Sequence, residues 1–164
     1  MRVIVLADTH LRGGIERLPA LVREDLSRCD AIVHAGDVVD DAVLAALARH
    51  APLHAVAGNN DAALCGQLPG ELVIELAGVS VAVVHDAGPR PGRDGRLRRR
   101  FPDAEVVVYG HSHIPDNHLG TSGQLVFNPG SPTQRRRQPS ASYGELVLGA
   151  GRLVGHRIIT LAAA

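Results

Sequence analysis

The 164-residue sequence has no tryptophan, no lysine, one methionine and two cysteines, and its aromatic rings are confined to Phe101, Phe127, Tyr109 and Tyr143. A core without aromatic bulk must be built from Val, Leu, Ile and Ala, a composition that suits an α/β protein. Cys29 and Cys65 are too few for a disulfide framework, which points to a reduced, cytoplasmic setting. Long apolar runs are missing too: "MRVIVLADTH" is too short for a signal peptide and runs straight into an acid, so no membrane segment is expected. Net charge is the last absence. The 17 basic residues, all arginine, balance 17 acidic ones, so no overall field marks a nucleic-acid binder, and nucleic acid is not an expected partner. The length fits one domain over 1–164 and suffices for a core without staples.

What is present alternates. Arg2 to Ala7 is a β-branched run predicted as a buried strand, and "RLPALVREDLSRC" follows it with Pro19 in a first helical turn and Leu18, Leu21, Val22 and Leu26 at helical spacing. Ala31 to Ala35 is a second strand, Asp40 caps a helix through about His50, and Leu53 to Ala57 is a third strand. The period then changes: residues 71–85 read as a hairpin turning near Ala77 and Gly78, and 144–161 as another turning at Gly149 to Gly151. Between them lie a Pro/Gly loop at 86–95, a short Arg-rich helix at 93–101 and a strand from Glu105 to Tyr109.

Ligand-type side chains gather where the apolar runs stop: Asp8 and His10, Asp37, Asn59, His85, then His111 and His113. In open α/β sheets the carboxyl ends of strands line the ligand crevice, so residues far apart in sequence can converge there. Taken singly, Asp8 could be a cap, Asp37 or Asn59 a turn residue and His85 a packed core histidine. Together they form a nitrogen and oxygen donor set suited to Mn, Fe, Zn, Ni or Co, and large enough for two ions. If "GHSH" is extended, His111 and His113 point the same way roughly 6 to 7 Å apart. That is wide enough to straddle two ions about 3.5 to 4 Å apart.

In chain order, "DTH", "GD" at 36–37, "GN" at 58–59, His85 and "GHSH" resemble the five motifs of the calcineurin-like metallophosphoesterase superfamily. The short length and "NPGS" at 128–131 are similar to its small YfcE-type phosphodiesterase branch, which also contains a retromer-subunit relative. The resemblance implies an α/β fold, an αββα sandwich of two mixed β-sheets flanked by helices. It also implies two divalent metal ions, with Asp8, His10 and His113 on one, Asn59, His85 and His111 on the other, and Asp37 bridging. Manganese is the expected ion, and nickel, iron, zinc and cobalt suit the same donors. The implied activity is that of a phosphodiesterase, hydrolysing a phosphate ester by attack of a metal-activated hydroxide. The alternatives are a protein-interaction scaffold of the retromer-subunit type, which goes with an eroded ligand set, and a phosphomonoesterase. Homo-oligomerisation is left open by the sequence.

Two positions depart from the family pattern. Many members have a leaving-group histidine where this chain has Asn60, and an amide cannot be a general acid. Asp86 replaces a usual glycine and reads either as a support behind the ligands or as a loop acid. His34, inside a strand pattern, reads as packed or as a second support. His50, His54, His118 and His156 lack partners by spacing, Cys65 reads as a small buried residue, and the arginines at 96–100 and 135–137 read as solvated loop charge.

Overall fold

The computed structural model describes residues 1–64 and 66–162, so Cys65 lies outside the described residues. The expected βαβαβ opening is present as β1 (Arg2–Leu6), α1 (Ala20–Leu26), β2 (Ala31–His34), α2 (Asp41–Ala48) and β3 (Leu53–Ala55). The three strands pair in parallel, Val3 opposite Ala31 and Ile32 opposite Leu53. Residues 3–6 and 31–34 are buried throughout, because parallel strands are covered on both faces. Asp40 caps α2 by accepting the Ala42 N–H at 3.0 Å, whereas Pro19 sits at the N-cap of α1 rather than in its first turn.

The second half builds a second sheet. β4 (Glu71–Leu76) and β5 (Val79–Val84) form the expected hairpin, α3 (Arg93–Arg100) follows, and β6 (Val106–Val108) lies parallel to β5. β7 (Asp116–Leu119) and β8 (Leu125–Asn128), neither of which the sequence signals, complete it. β7 is a polar edge strand, and β8 is an apolar run too short to distinguish from a loop by pattern alone. The closing hairpin, β9 (Ser142–Gly149) and β10 (Arg152–Thr160), returns to the first sheet, where β9 pairs antiparallel with β1. The sheet orders are β10-β9-β1-β2-β3 and β4-β5-β6-β8-β7.

Each sheet thus mixes parallel and antiparallel pairs, and their inner faces meet through Val3, Val5, Val33, Val81, Val83, Val106, Val108 and Phe127. Full burial of such side chains contributes roughly 1.5–3 kcal/mol each. Outside the first sheet, Val22 and Leu26 of α1 and Val43 and Leu47 of α2 pack on Ile4, Leu6 and Ile32. Outside the second, Leu97 of α3 and Phe101 pack on Val84, Val107 and Val126. The result is the αββα sandwich. Among the described residues no helix is long and apolar enough to cross a membrane.

Several polar expectations change once β7 is in place. His118 Nδ1 lies 2.8 Å from Asp116 and its Nε2 3.2 Å from Asp94, fastening β7 to α3. His156 Nδ1 lies 2.6 Å from Asn117 Oδ1, joining β10 of one sheet to β7 of the other. Both histidines therefore have partners, supplied by a strand that sequence spacing does not reveal. The arginines of α3 are likewise not all solvated: Arg96 donates to the Pro91 carbonyl at 2.8 Å and to that of Pro89, and Arg100 pairs with Glu71.

Candidate metal centre

Both sheets aim the carboxyl ends of their parallel strands at one seam. Asp8 and His10 follow β1, Asp37 follows β2 and Asn59 follows β3, while His85 follows β5 and His111 and His113 follow β6. Backbone bonds tie the loops together, Asp8 N to Gly36 O at 2.9 Å, His10 N to Asp37 O at 3.0 Å and Gly110 N to His85 O at 3.0 Å.

The backbone reaches these positions by left-handed turns. Asp8 (φ 53°), His10 (45°), Asp37 (59°), His111 (67°) and His113 (59°) all lie in the left-handed region, which is unfavourable by about 1–2 kcal/mol per residue for a side chain-bearing residue. This overturns the extended reading of "GHSH". Ser112 N bonds back to Gly110 O at 2.8 Å, closing a three-residue turn that sends the two imidazoles to different neighbours. The motif glycines follow from close approach: a Cβ at Gly58 would stand 2.2 Å from Asp37 Oδ1, and one at Gly110 would stand 2.9 Å from the Ala35 carbonyl oxygen.

Two groups of donors result. His113 Nε2 lies 3.4 Å from Asp8 Oδ1 and 3.4 Å from His10 Nε2, which is 3.5 Å from Asp37 Oδ2. On the other side, His85 Nε2 lies 3.0 Å from Asn59 Oδ1 and 3.3 Å from His111 Nδ1, and His111 Nδ1 is 2.9 Å from Asn59 Oδ1. Asp37 Oδ1, 3.6 Å from His85 Nε2, faces this second group while its Oδ2 faces the first. Asp8, His10 and His113 each present an atom within 4.8 Å of the others, as do Asp8, Asp37 and His85.

The tautomers decide what such distances mean. His85 Nδ1 donates to the Ala35 carbonyl at 2.7 Å and His113 Nδ1 to the Gln134 carbonyl at 2.5 Å, because a carbonyl oxygen can only accept. In each neutral ring Nε2 then carries a lone pair and no proton. His85 Nε2 and Asn59 Oδ1 are consequently two acceptors facing one another, as are His113 Nε2 and Asp8 Oδ1 whenever Asp8 is ionised. Asp8 is fully buried, and neither of its carboxylate oxygens has a hydrogen-bond partner among the described residues. Asn59 and His111 are exposed and can turn to water, but Asp8 and His113 are buried, and their facing acceptors are strongly unfavourable unless a proton or a cation sits between them. Donor separations of 2.9–3.6 Å also match neighbouring vertices around an ion with bonds of about 2.1 Å, roughly 3.0 Å in an octahedron and 3.4 Å in a tetrahedron. The residues therefore fit divalent transition-metal ions.

Electrostatics point the same way. Burial, followed by the Asp37 carboxylate, pushes Asp8 up to about 8 when no cation is present. Burial holds His10 and His113 below the ordinary histidine value, keeping both rings neutral, the form that binds metal. Asp37 stays below its usual range despite burial, because Asn60 donates to it twice and His85 and His10 stand beside it.

The remaining candidates divide. Asn60 N bonds Asp37 Oδ1 at 2.8 Å and Asn60 Nδ2 bonds Asp37 Oδ2 at 2.7 Å, so this side chain holds a carboxylate. His34 is fully buried, with Nε2 3.1 Å from Thr9 Oγ1 between Asp8 and His10, and burial lowers it to about 3. Asp86 does not support the centre: it is exposed and accepts from Gly88 N at 2.7 Å, a local loop turn.

Sequence reading missed several supports. Asp61 is almost fully buried and accepts Asp37 N at 2.8 Å, Val39 N at 2.6 Å and Gly58 N at 2.7 Å. Ser131 Oγ donates to Asp8 O at 2.8 Å and Thr133 Oγ1 to Thr9 O at 2.7 Å, while Asn128 Nδ2 donates to Gly110 O at 3.0 Å. "NPGS" is thus the brace behind the site. Its proximity to "GHSH" in sequence is a signal of that role, whereas nothing about Asp61 distinguishes it from a turn acid.

Comparison with known proteins shows the family and the fold. A family model described as the calcineurin-like phosphoesterase superfamily domain matches residues 1–149. A probable metallophosphoesterase of Methanocaldococcus jannaschii is 35% identical over 142 residues, covering 83% of this chain and 70% of the relative. Among solved structures, Vps29 from Entamoeba histolytica complexed with zinc superposes with a TM-score of 0.76 at 19% identity, covering 98% of each chain. A Thermotoga maritima protein superposes with a TM-score of 0.73 at 26% identity, over 98% of this chain and 99% of that one.

Proposed function

The chain belongs to the calcineurin-like phosphoesterase superfamily, and from that premise we propose that it is a cytoplasmic, dinuclear metal-dependent phosphodiesterase of the small YfcE-type branch. Asp8, His10 and His113 hold one ion and Asn59, His85 and His111 the other, with Asp37 between them. The observation that carries this reading is a fully buried Asp8 whose two oxygens have no hydrogen-bond partner among the described residues and one of which faces the proton-free Nε2 of His113. Divalent ions bound there, manganese first and nickel, iron, zinc or cobalt by the same donor chemistry, supply Lewis acidity and an activated water nucleophile.

The chain's own groups set the rest. The carbonyls of Ala35 and Gln134 fix the tautomers of His85 and His113, and Asn60 and Asp61 fix Asp37 and its backbone from behind. Because Asn60 is spent on Asp37 and carries no acidic proton, the leaving alkoxide or phenoxide gains no proton at that position, so esters with good leaving groups are favoured. An open cleft of about 310 Å³, lined by Gly88, Pro89, Arg93, Tyr109 and Ser112, abuts His111 and gives a diester's second substituent somewhere to lie.

The test is turnover of an aryl phosphate diester and its matching monoester by protein stripped of metal and reloaded with Mn, Ni, Zn or Mg. Stripped protein should be inactive, manganese should restore turnover, and the diester should be cleaved faster than the monoester. Folded protein inactive on both esters with every metal would overturn the hydrolase reading and favour a scaffold.

A further inference from the structure

The run "QRRRQ" at 134–138 carries adjacent arginines with different surroundings. Arg135 Nη1 donates to Gln138 O at 2.7 Å and closes its own loop, and no hydrogen bond or ion pair of the Arg137 side chain is present among the described residues. Arg136 alone turns to the metal centre, its Nη1 donating to the carbonyl of His111 at 3.4 Å.

Its position is imposed by the same brace that holds the site. Ser131 and Thr133 are bonded to the backbone of Asp8 and Thr9, and Gln134 O accepts from His113, so the loop is fastened up to two residues before Arg136. Arg136 itself adopts a left-handed backbone, φ 49°, which turns its side chain out of line with those of its neighbours. No carboxylate pairs with it among the described residues, and one long hydrogen bond leaves most of its donor fork free.

We propose that Arg136 is a substrate-contacting residue that binds the non-bridging oxygens of the phosphoryl group presented at the metal centre. An exposed, unpaired guanidinium fork at the rim of a site for phosphate esters has the planar, two-pronged geometry that matches adjacent phosphoryl oxygens, which a point charge lacks. The assignment rests on the phosphoesterase reading above, and it replaces the solvated-loop reading for this one arginine of the run.

Two readouts test it on manganese-loaded full-length protein: calorimetric affinity for inorganic phosphate, and kcat/KM for the aryl diester. Arg136→Ala should weaken both by about ten- to a hundred-fold, the range for a hydrogen bond to a charged group. Arg136→Lys should fall between it and wild type. Arg136→Gly relieves the left-handed backbone, so it should lose phosphate affinity as Arg136→Ala does without losing thermal stability. Arg135→Ala and Arg137→Ala should match wild type, and manganese affinity should be unchanged in all. Arg136→Ala with wild-type phosphate affinity overturns the proposal, as does a loss confined to manganese affinity, which would mean Arg136 only supports His111. Wild-type protein that binds phosphate through Arg136 but cleaves no ester would instead overturn the hydrolase reading and leave this assignment standing.

Discussion

Asp37→Asn should lower kcat/KM by about a thousand-fold while shifting the melting temperature by only a few degrees. The magnitude follows from the several kcal/mol that metal stabilisation of transition-state charge contributes, at about 1.4 kcal/mol per factor of ten. Asp37 directs one oxygen to His10 and the other to His85, so its carboxylate reaches both donor groups. Asparagine removes the charge and sets one amide N–H against either Asn60 N or Asn60 Nδ2, both of which are donors to Asp37. The fold should survive because asparagine tolerates the left-handed backbone at φ 59° at least as well as aspartate. Calorimetric metal counts and steady-state rates check this together. A variant that still bound two ions per chain at near-normal rates would remove Asp37 from the role assigned to it.

Asp61→Ala should be the most destabilising single change near the site, although Asp61 touches none of the donor atoms. It would leave the N–H groups of Asp37, Val39 and Gly58 without their acceptor in a largely buried setting, at about 1–3 kcal/mol for each group left unsatisfied. Two of those residues, Asp37 at φ 59° and the β-branched Val39 at φ 83°, hold unfavourable backbone that the carboxylate restrains. We expect a loss of about 4 kcal/mol, a fall of about 10 to 15 °C in melting temperature, and much weaker metal binding. Asp61→Asn, which keeps one acceptor oxygen, should lie between. Thermal melts of the metal-free proteins measure it, and a melting temperature within 3 °C of wild type for Asp61→Ala would show that the loops after β2 and β3 do not depend on this acid.

The candidate donors stand out in the sequence because each follows an apolar run, but singly Asp8, Asp37, Asn59 and His85 read equally as cap, turn or core residues, and their order, resembling the superfamily's five motifs, joins them into one ligand set. The manner in which His111 and His113 diverge was not legible, since residue spacing assumes a backbone conformation and these two adopt the left-handed one. Nor were the partners that orient His85 and His113, because Ala35 and Gln134 act through backbone carbonyls that every residue type possesses. β7 was hidden by its polar, alternately exposed surface, and with it went the partners of His118 and His156. That the amide of Asn60 is no general acid follows from its residue type, but its hold on Asp37 depends on a fold contact between loops after different strands.

The central claim is that two ions sit in the seam with Asp37 between them. Anomalous diffraction from crystals grown with manganese tests it most directly. The account predicts two manganese peaks, one bounded by Asp8, His10 and His113, the other by Asn59, His85 and His111, with an oxygen of Asp37 in reach of both. A single peak, or two that leave Asp8 without a cation, would contradict it.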